Sequence, residues 1–318
     1  MKTIGIDVSK STFDVWSEET GHEQFSNDVA GFKAFKKLLN KEDHCVMEAT
    51  GCYHFQLAEF LYELGFKVSV ENPLVVKRFI QMKLQKVKTD KHDAKMIALF
   101  GIEQTPDLWK PEPDFIKEGK LITTLIQMYT KQQTQLKNKL DNLKSGGIHT
   151  GVMIRSLNLQ LKRIKVEIKK LEISLEELLK EHSPEVLTNI KSIPGIGKKT
   201  AMLMMVTTNN FRDFSSPRQV TSYVGLAPIE RSSGSSIRGR SYISKKGDPL
   251  LRHHLFMCSF TACQNNKQCR DLYQRLVAKG KSKKLALIAV CNKLIKQAYG
   301  VSKNGIAYDE NYRRNIAA

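Results

Sequence analysis

The sequence predicts a chain in three parts: an α/β domain over residues 1–112, a helical coiled-coil segment over 113–183, and a basic, mainly α-helical domain over 184–318. Three observations predict this. Short apolar runs bounded by turn residues alternate with helical patterns through the first hundred residues, as in an α/β layer. From Ile154 to Leu178 the apolar positions advance by alternating steps of three and four. The formal charge of +19 lies wholly beyond the first hundred residues: 1–100 hold 14 Lys+Arg and 14 Asp+Glu, whereas 184–318 hold 23 basic and 7 acidic residues.

Composition narrows the class. A length of 318 residues and 41% apolar content support a real core and more than one domain. No apolar run is long enough to span a bilayer, and the N-terminus runs directly into a strand without a signal-peptide pattern. The six cysteines are scattered and form no CxxC pair. That argues against a zinc site or a disulfide framework and for the reducing cytoplasm. Basic clustering is the footprint of phosphate binding, with a merely solvated surface as the plain alternative.

The elements follow in order. Residues 2–18 read as a strand, a turn at Ser9-Lys10-Ser11 and a returning strand Thr12–Trp16. Ala30–Leu39 is a short amphipathic helix, and His44–Glu48 a second apolar strand. A helix spans about 54–65, and Phe66–Glu71 is a strand stopped by Asn72-Pro73. A helical stretch near 74–83 leads into the basic segment Lys83–Lys91, and Asp90–Phe100 is a helix. Acids at strand ends within β-α-β alternation describe an RNase H-like layer.

Those acids are Asp7 and Glu48, each closing a strand, with Asp90 and Asp93, whose spacing of three puts them on one helix face. Two hard divalent cations about 4 Å apart need several converging carboxylates, which points to phosphodiester chemistry on nucleic acid. Each acid has a structural alternative: Asp7 as a turn or cap residue, Asp90 as the N-cap of its helix. His54 and His92 read as contacts or surface residues, because an oxygen-ligated Mg²⁺ site has no call on imidazole.

In the middle part, the seam from Ile154 to Leu178 and a looser pattern through Ile122, Leu125, Tyr129, Leu136, Leu140 and Leu143 are separated by Gly146-Gly147 and Gly151. The two helices predict an antiparallel hairpin, with pairing between chains as the alternative. In the basic part, Pro194-Gly195-Ile196-Gly197 between two helical stretches resembles the turn of a helix-hairpin-helix, where Lys198 and Lys199 would hold backbone phosphates; an ordinary tight turn is the alternative. Arg231, Arg238 and Arg240 lace a Ser/Gly stretch containing Ser232, Ser233, Ser235 and Ser236, followed by Lys245 and Lys246. This is either a flexible loop or a nucleophilic serine among cations that favour alkoxide character and stabilise charge on an attacked phosphate. Pro249–Arg252 and Lys281–Tyr299 read as helical. Lys83, Lys86, Lys88 and Lys91 would contact nucleic acid beside the acids.

GIDVSK, MEATGCYH, KTDKHDA, PGIGKKTA, YVGLAP, SSG and KKGDPLLR stand in this order along nearly the whole chain. The set resembles the DEDD transposases of insertion sequences, with a Holliday-junction-resolvase-like N-terminal domain, a coiled coil and a C-terminal serine-bearing domain. The resemblance implies that Asp7, Glu48, Asp90 and Asp93 ligate Mg²⁺, with Mn²⁺ as the alternative. It also implies a catalytic serine, best matched by Ser233 before Gly234, with Ser232 and Ser235 as rivals. It further implies a structured guide RNA that pairs with donor and target DNA. The implied active site is shared between protomers of a dimer or tetramer, acids from one and serine from another. The reaction expected is cutting and rejoining through a phosphoserine linkage. The rivals are a resolvase or nuclease using water as nucleophile, and a non-catalytic RNA-binding protein.

Overall fold

A computed structural model describes residues 2–84, 89–147, 151–229 and 242–311, together with the backbone of 232–233 and 237–238. The chain divides into two compact units, Met1–Pro111 and Glu112–Ala318.

The first unit contains β1 (Thr3–Val8), β2 (Thr12–Ser17), β3 (Gly21–Ser26), α1 (Val29–Lys36), β4 (His44–Glu48), α2 (Phe55–Glu63), β5 (Lys67–Glu71), α3 (Pro73–Met82) and α4 (Asp90–Gln104). Its mixed sheet has the order β3-β2-β1-β4-β5. The β1–β2 and β2–β3 pairs are antiparallel, and β1–β4 and β4–β5 are parallel. Alternate residues sort to opposite faces. Ile4, Ile6, Phe13, Cys45 and Met47 go to one face and pack with Phe32, Phe35, Leu57 and Leu61 from the helices. Val46 goes to the other, with Phe79, Met96, Ile97 and Phe100. Each fully buried large side chain contributes about 1.5–3 kcal/mol. This mixed sheet between helices is compatible with the RNase H-like expectation. The sequence reading did not include β3: GHEQFS is polar because it forms an exposed edge, where little beyond Phe25 packs inward.

The second unit begins with two 32-residue helices, α5 (Asp114–Ser145) and α6 (Gly151–His182). Phe115, at the start of α5, stacks on His182, at the end of α6, with ring centroids 4.7 Å apart, so the helices run antiparallel. The three-four seam of α6 and the looser apolar pattern of α5 include buried residues on each helix: Leu161 and Leu175 on α6, Leu140 and Leu143 on α5. At the end of the seam Leu179 is fully buried, whereas Leu178 is half-buried.

Next come α7 (Pro184–Lys191), α8 (Lys198–Thr207), a 3-10 turn at Asn209–Phe211 and α9 (Pro217–Val224). Four two-residue strands follow: β6 (Pro228–Ile229), β7 (Ser232–Ser233), β8 (Ile237–Arg238) and β9 (Tyr242–Ile243). The unit closes with α10 (Pro249–Asn265), α11 (Lys267–Ala278) and α12 (Lys283–Asn304). One core, including Leu187, Ile190, Met204, Phe211, Leu255 and Leu294, joins these helices. No described helix is long and apolar enough to cross a membrane.

Candidate active site

The acids of the first unit are brought together by strand register. Asp7 and Asp14 are direct Cα partners across β1 and β2. On the other side Ile6 pairs with Met47, so Asp7 is followed in register by Glu48, and Glu48 pairs with Glu71 on β5. Asp14, Asp7, Glu48 and Glu71 therefore form a row along one sheet face, with strands roughly 4.8 Å apart.

Two glycines set the helix above this row. A Cβ on Gly5 would collide with the backbone of Ala94 and Ala98, and one on Gly101 would meet Thr3 Cγ2 and Val46 Cγ2 at 2.7 Å. Thr3 thus lies under Gly101 and Gly5 under Ala94 and Ala98. In this antiparallel arrangement the first turn of α4, with Asp90 and Asp93, is delivered to Asp7. Lys95, reaching over the Trp16 ring at 5.4 Å, ties the same helix to β2.

The electrostatics record the convergence. The Asp7 carboxyl is pushed up from 3.8 to about 6, first by burial and then by the negative charges of Asp93, Glu48, Asp90 and Asp14. The structural duties that could have explained the acids belong to neighbours. Thr89 caps α4 by accepting from the His92 N–H at 3.2 Å, and Ser9 Oγ braces the turn after β1. Asn27 Nδ2 donates to Ser9 O at 2.8 Å and to Tyr53 O at 3.2 Å, linking the loops that follow Asp7 and Glu48. Thr50 Oγ1 donates to Glu48 Oε1 at 3.4 Å.

Among the described residues, no three His, Cys, Asp or Glu side chains already stand as a group that could hold a metal ion. The donor set nonetheless fits a hard divalent cation. It is all carboxylate, and the mutual repulsion raising Asp7 is what such a cation would relieve. Asp7, Glu48, Asp90 and Asp93 are the residues that would hold it.

Sequence reasoning missed Asp14. It is only 4% exposed, and its carboxylate is held by His22 Nε2 at 2.7 Å and by Gln24 Nε2 at 3.2 Å. The signal was available: in TFDVW a charged residue interrupts an apolar strand opposite Asp7. His54 is buried, and burial lowers its pKa.

The cations fall into distinct groups. Lys83 is bound to Glu103 at 2.6 Å, and Lys91 is exposed at the start of α4. Lys198 is bound to Glu176 and Lys199 to Glu172, both at 2.6 Å, so the two lysines reach α6. Lys245 and Lys246 are exposed and have no carboxylate partner among the described residues. Lys86, Lys88, Arg231, Arg240, Ser235 and Ser236 lie outside the described residues.

The serine segment is a short hairpin in the second unit. Pro228–Ile229 pairs with Tyr242–Ile243 at its foot. Further along, Ser232 is the Cα partner of Arg238, and Ser233 of Ile237. The foot is fixed by two sequence motifs meeting. Gly247 (φ 136°) lets the backbone of Tyr223–Gly225 come close, and the Lys245 N–H donates to Gly225 O at 3.2 Å.

Comparison with known proteins agrees with both halves. The IS110-type DEDD family model, described as "Transposase", matches residues 4–144, and "Transposase IS116/IS110/IS902 family" matches residues 187–274. The "Pilin gene-inverting protein" of Moraxella bovis is 31% identical across 96% of this chain and 97% of its own. The "Transposase for insertion sequence element IS1111A" of Coxiella burnetii is 21% identical across 92% of this chain and 87% of its own.

Proposed function

Because the chain belongs to the IS110-type DEDD transposases of insertion sequences, and is therefore a DNA transposase or recombinase, we propose that it cuts and rejoins DNA through a phosphoserine linkage. The observation carrying this reading is the convergence of Asp93, Glu48 and Asp90 on Asp7, in a chain whose second unit carries Ser232 and Ser233 on a strand paired with Ile237–Arg238.

In the proposed step the Oγ of Ser233 attacks the scissile phosphorus. An Oγ–P bond forms, a P–O bond to deoxyribose breaks, and the proton lost by the serine ends on the departing deoxyribose hydroxyl. Bond energy is conserved in the ester, so a hydroxyl from the partner strand reverses the exchange without ATP. Mg²⁺, with Mn²⁺ as the alternative, held by Asp7, Glu48, Asp90 and Asp93, would polarise the phosphate. Arg231, Arg238 and Arg240 would neutralise phosphate charge near the serine, as would Lys245 and Lys246. Lys83, Lys86, Lys88 and Lys91 would hold nucleic acid beside the acids; Lys198 and Lys199 would do so at a helix-hairpin-helix turn once released from α6.

The charge of +16 over residues 184–318 permits binding of donor and target DNA together with the structured guide RNA that the family resemblance implies. A homo-oligomer, dimer or tetramer, is supported by a second apolar stripe on α6: Val152, Leu159, Val166 and Ile173 recur every seven residues and are 72%, 50%, 48% and 44% exposed. Coiled-coil pairing along it would let acids of one protomer meet the serine of another. The domain division 1–112, 113–183 and 184–318 and the cytoplasmic location are part of this reading.

The test is a denaturing gel of protein mixed with labelled DNA spanning the ends of its element, with Mg²⁺. A protein–DNA adduct absent from Ser233→Ala and Asp7→Asn is expected. Cleavage without adduct that survives Ser233→Ala would favour a water-using nuclease. An adduct lost only in Ser232→Ala would move the nucleophile by one residue.

A further inference from the structure

We propose that the groove at the foot of the serine hairpin binds an unpaired nucleotide of the DNA strand being cut. This rests on the reading of that hairpin as the nucleophile's carrier.

Two cavities, of 480 and 330 Å³, lie against β9 and share Leu226, Ile243, Lys284 and Ile288. Each is of a size that holds a small ligand, which is about 300–1,000 Å³. Their common floor is apolar, and Tyr242, 47% exposed, lines the larger one. The smaller is lined by Lys245, Arg252, His253 and Lys284. None of these four has a carboxylate partner among the described residues, in contrast to Lys198 and Lys199. Arg252 is held by a 2.8 Å bond from Nη1 to Val224 O, which leaves its other N–H groups for a ligand. The neighbouring acid, Asp248, is occupied in capping α10, accepting from the Leu250 and Leu251 N–H groups at 2.7 and 3.0 Å.

Lys245, Arg252 and Lys284, without a carboxylate partner among the described residues, beside an apolar floor with an aromatic residue match one chemistry: a base on the floor or stacked on the ring, and its phosphates among the three basic side chains. Duplex DNA would use the cations and leave the floor empty, because its bases are stacked inside. The DNA strand being cut is the chosen occupant because the groove is continuous with the hairpin. Ser233 is four residues beyond Ile229, the β9 partner at the foot, so their Cα atoms are at most about 14 Å apart. That is roughly four base steps along a strand.

The test uses the full chain and fluorescence anisotropy with a short single-stranded DNA oligonucleotide, the same sequence as a duplex, and the same sequence as RNA. Tyr242→Ala and Lys284→Glu should each weaken single-strand DNA binding about tenfold, with Lys284→Glu lowering the salt slope by about one. Lys165→Glu, on the exposed face of α6, controls for general charge loss. Oligonucleotides carrying 5-iodouracil should crosslink to Tyr242. Wild-type affinity in both groove variants, losses equal to that of Lys165→Glu, or loss on duplex equal to that on single strand overturns the proposal. Tighter RNA binding with the same losses overturns the assignment to DNA. Ser233→Ala should bind the single strand like wild type. An adduct that survives Ser233→Ala, Ser232→Ala and Ser235→Ala alike would remove the serine reading while leaving the groove measurement intact.

Discussion

Replacing Asp7 with Asn should make the first unit more stable at neutral pH. The Asp7 carboxyl is raised from 3.8 to about 6 by burial and by four neighbouring acids, so the folded state holds its proton more tightly than the unfolded chain does. A raised acid contributes stability that is complete below the unfolded value of 3.8 and is lost as pH rises through about 6. Near neutral pH the wild type has lost all of it. The shift of roughly two units converts to about 3 kcal/mol. Asp7 is only half-buried, and solvent screening reduces this to roughly 1–2 kcal/mol. The assay is built into the sequence, because both tryptophans, Trp16 and Trp109, lie in the first unit. Urea unfolding followed by tryptophan fluorescence should show Asp7→Asn more stable than wild type near pH 7.5, and the gap should close toward pH 4. Millimolar Mg²⁺ should stabilise the wild type and leave Asp7→Asn unmoved. A variant less stable than wild type at neutral pH, or a gap indifferent to pH, would refute the account of crowded charge.

Further outcomes follow from the same geometry. Gly5→Ala should cost about 1–3 kcal/mol in the same melt, because the methyl meets backbone of α4. Thr89→Ala should cost about 1 kcal/mol through the lost cap, and Thr89→Ser should restore it. Glu172→Gln combined with Glu176→Gln frees Lys198 and Lys199 and should steepen the salt dependence of DNA binding by about two, measured by anisotropy across a salt series.

Much of the first unit was legible because short apolar runs bounded by turn residues marked four of its strands. Asp7 and Glu48 stood out as charges closing such runs, and Asp90 and Asp93 as a spaced pair on one helix. Asp14 did not stand out, because its significance is a cross-strand partner, and partnership across strands is invisible to local pattern. The same limit hid β3, a polar edge strand with little apolar content to mark it. In the second unit the heptad spacing identified the buried face of α6. It did not reveal that Lys198 and Lys199 are bound to glutamates on that helix, since an ion pair 22 residues apart in sequence leaves no periodic trace.

The fit of α4 over Gly5 and Gly101 separates two ways in which copies of this gene can decay. On the proposed reading, a copy that loses Asp7 would shed unfavourable charge, keep its fold and remain able to occupy DNA ends it could no longer cut. A copy that loses Gly5 loses the seat of α4 and is exposed to proteolysis. Dead copies of the first kind would accumulate as competitors of the active one, so a lineage of such elements carries a source of its own inhibitors.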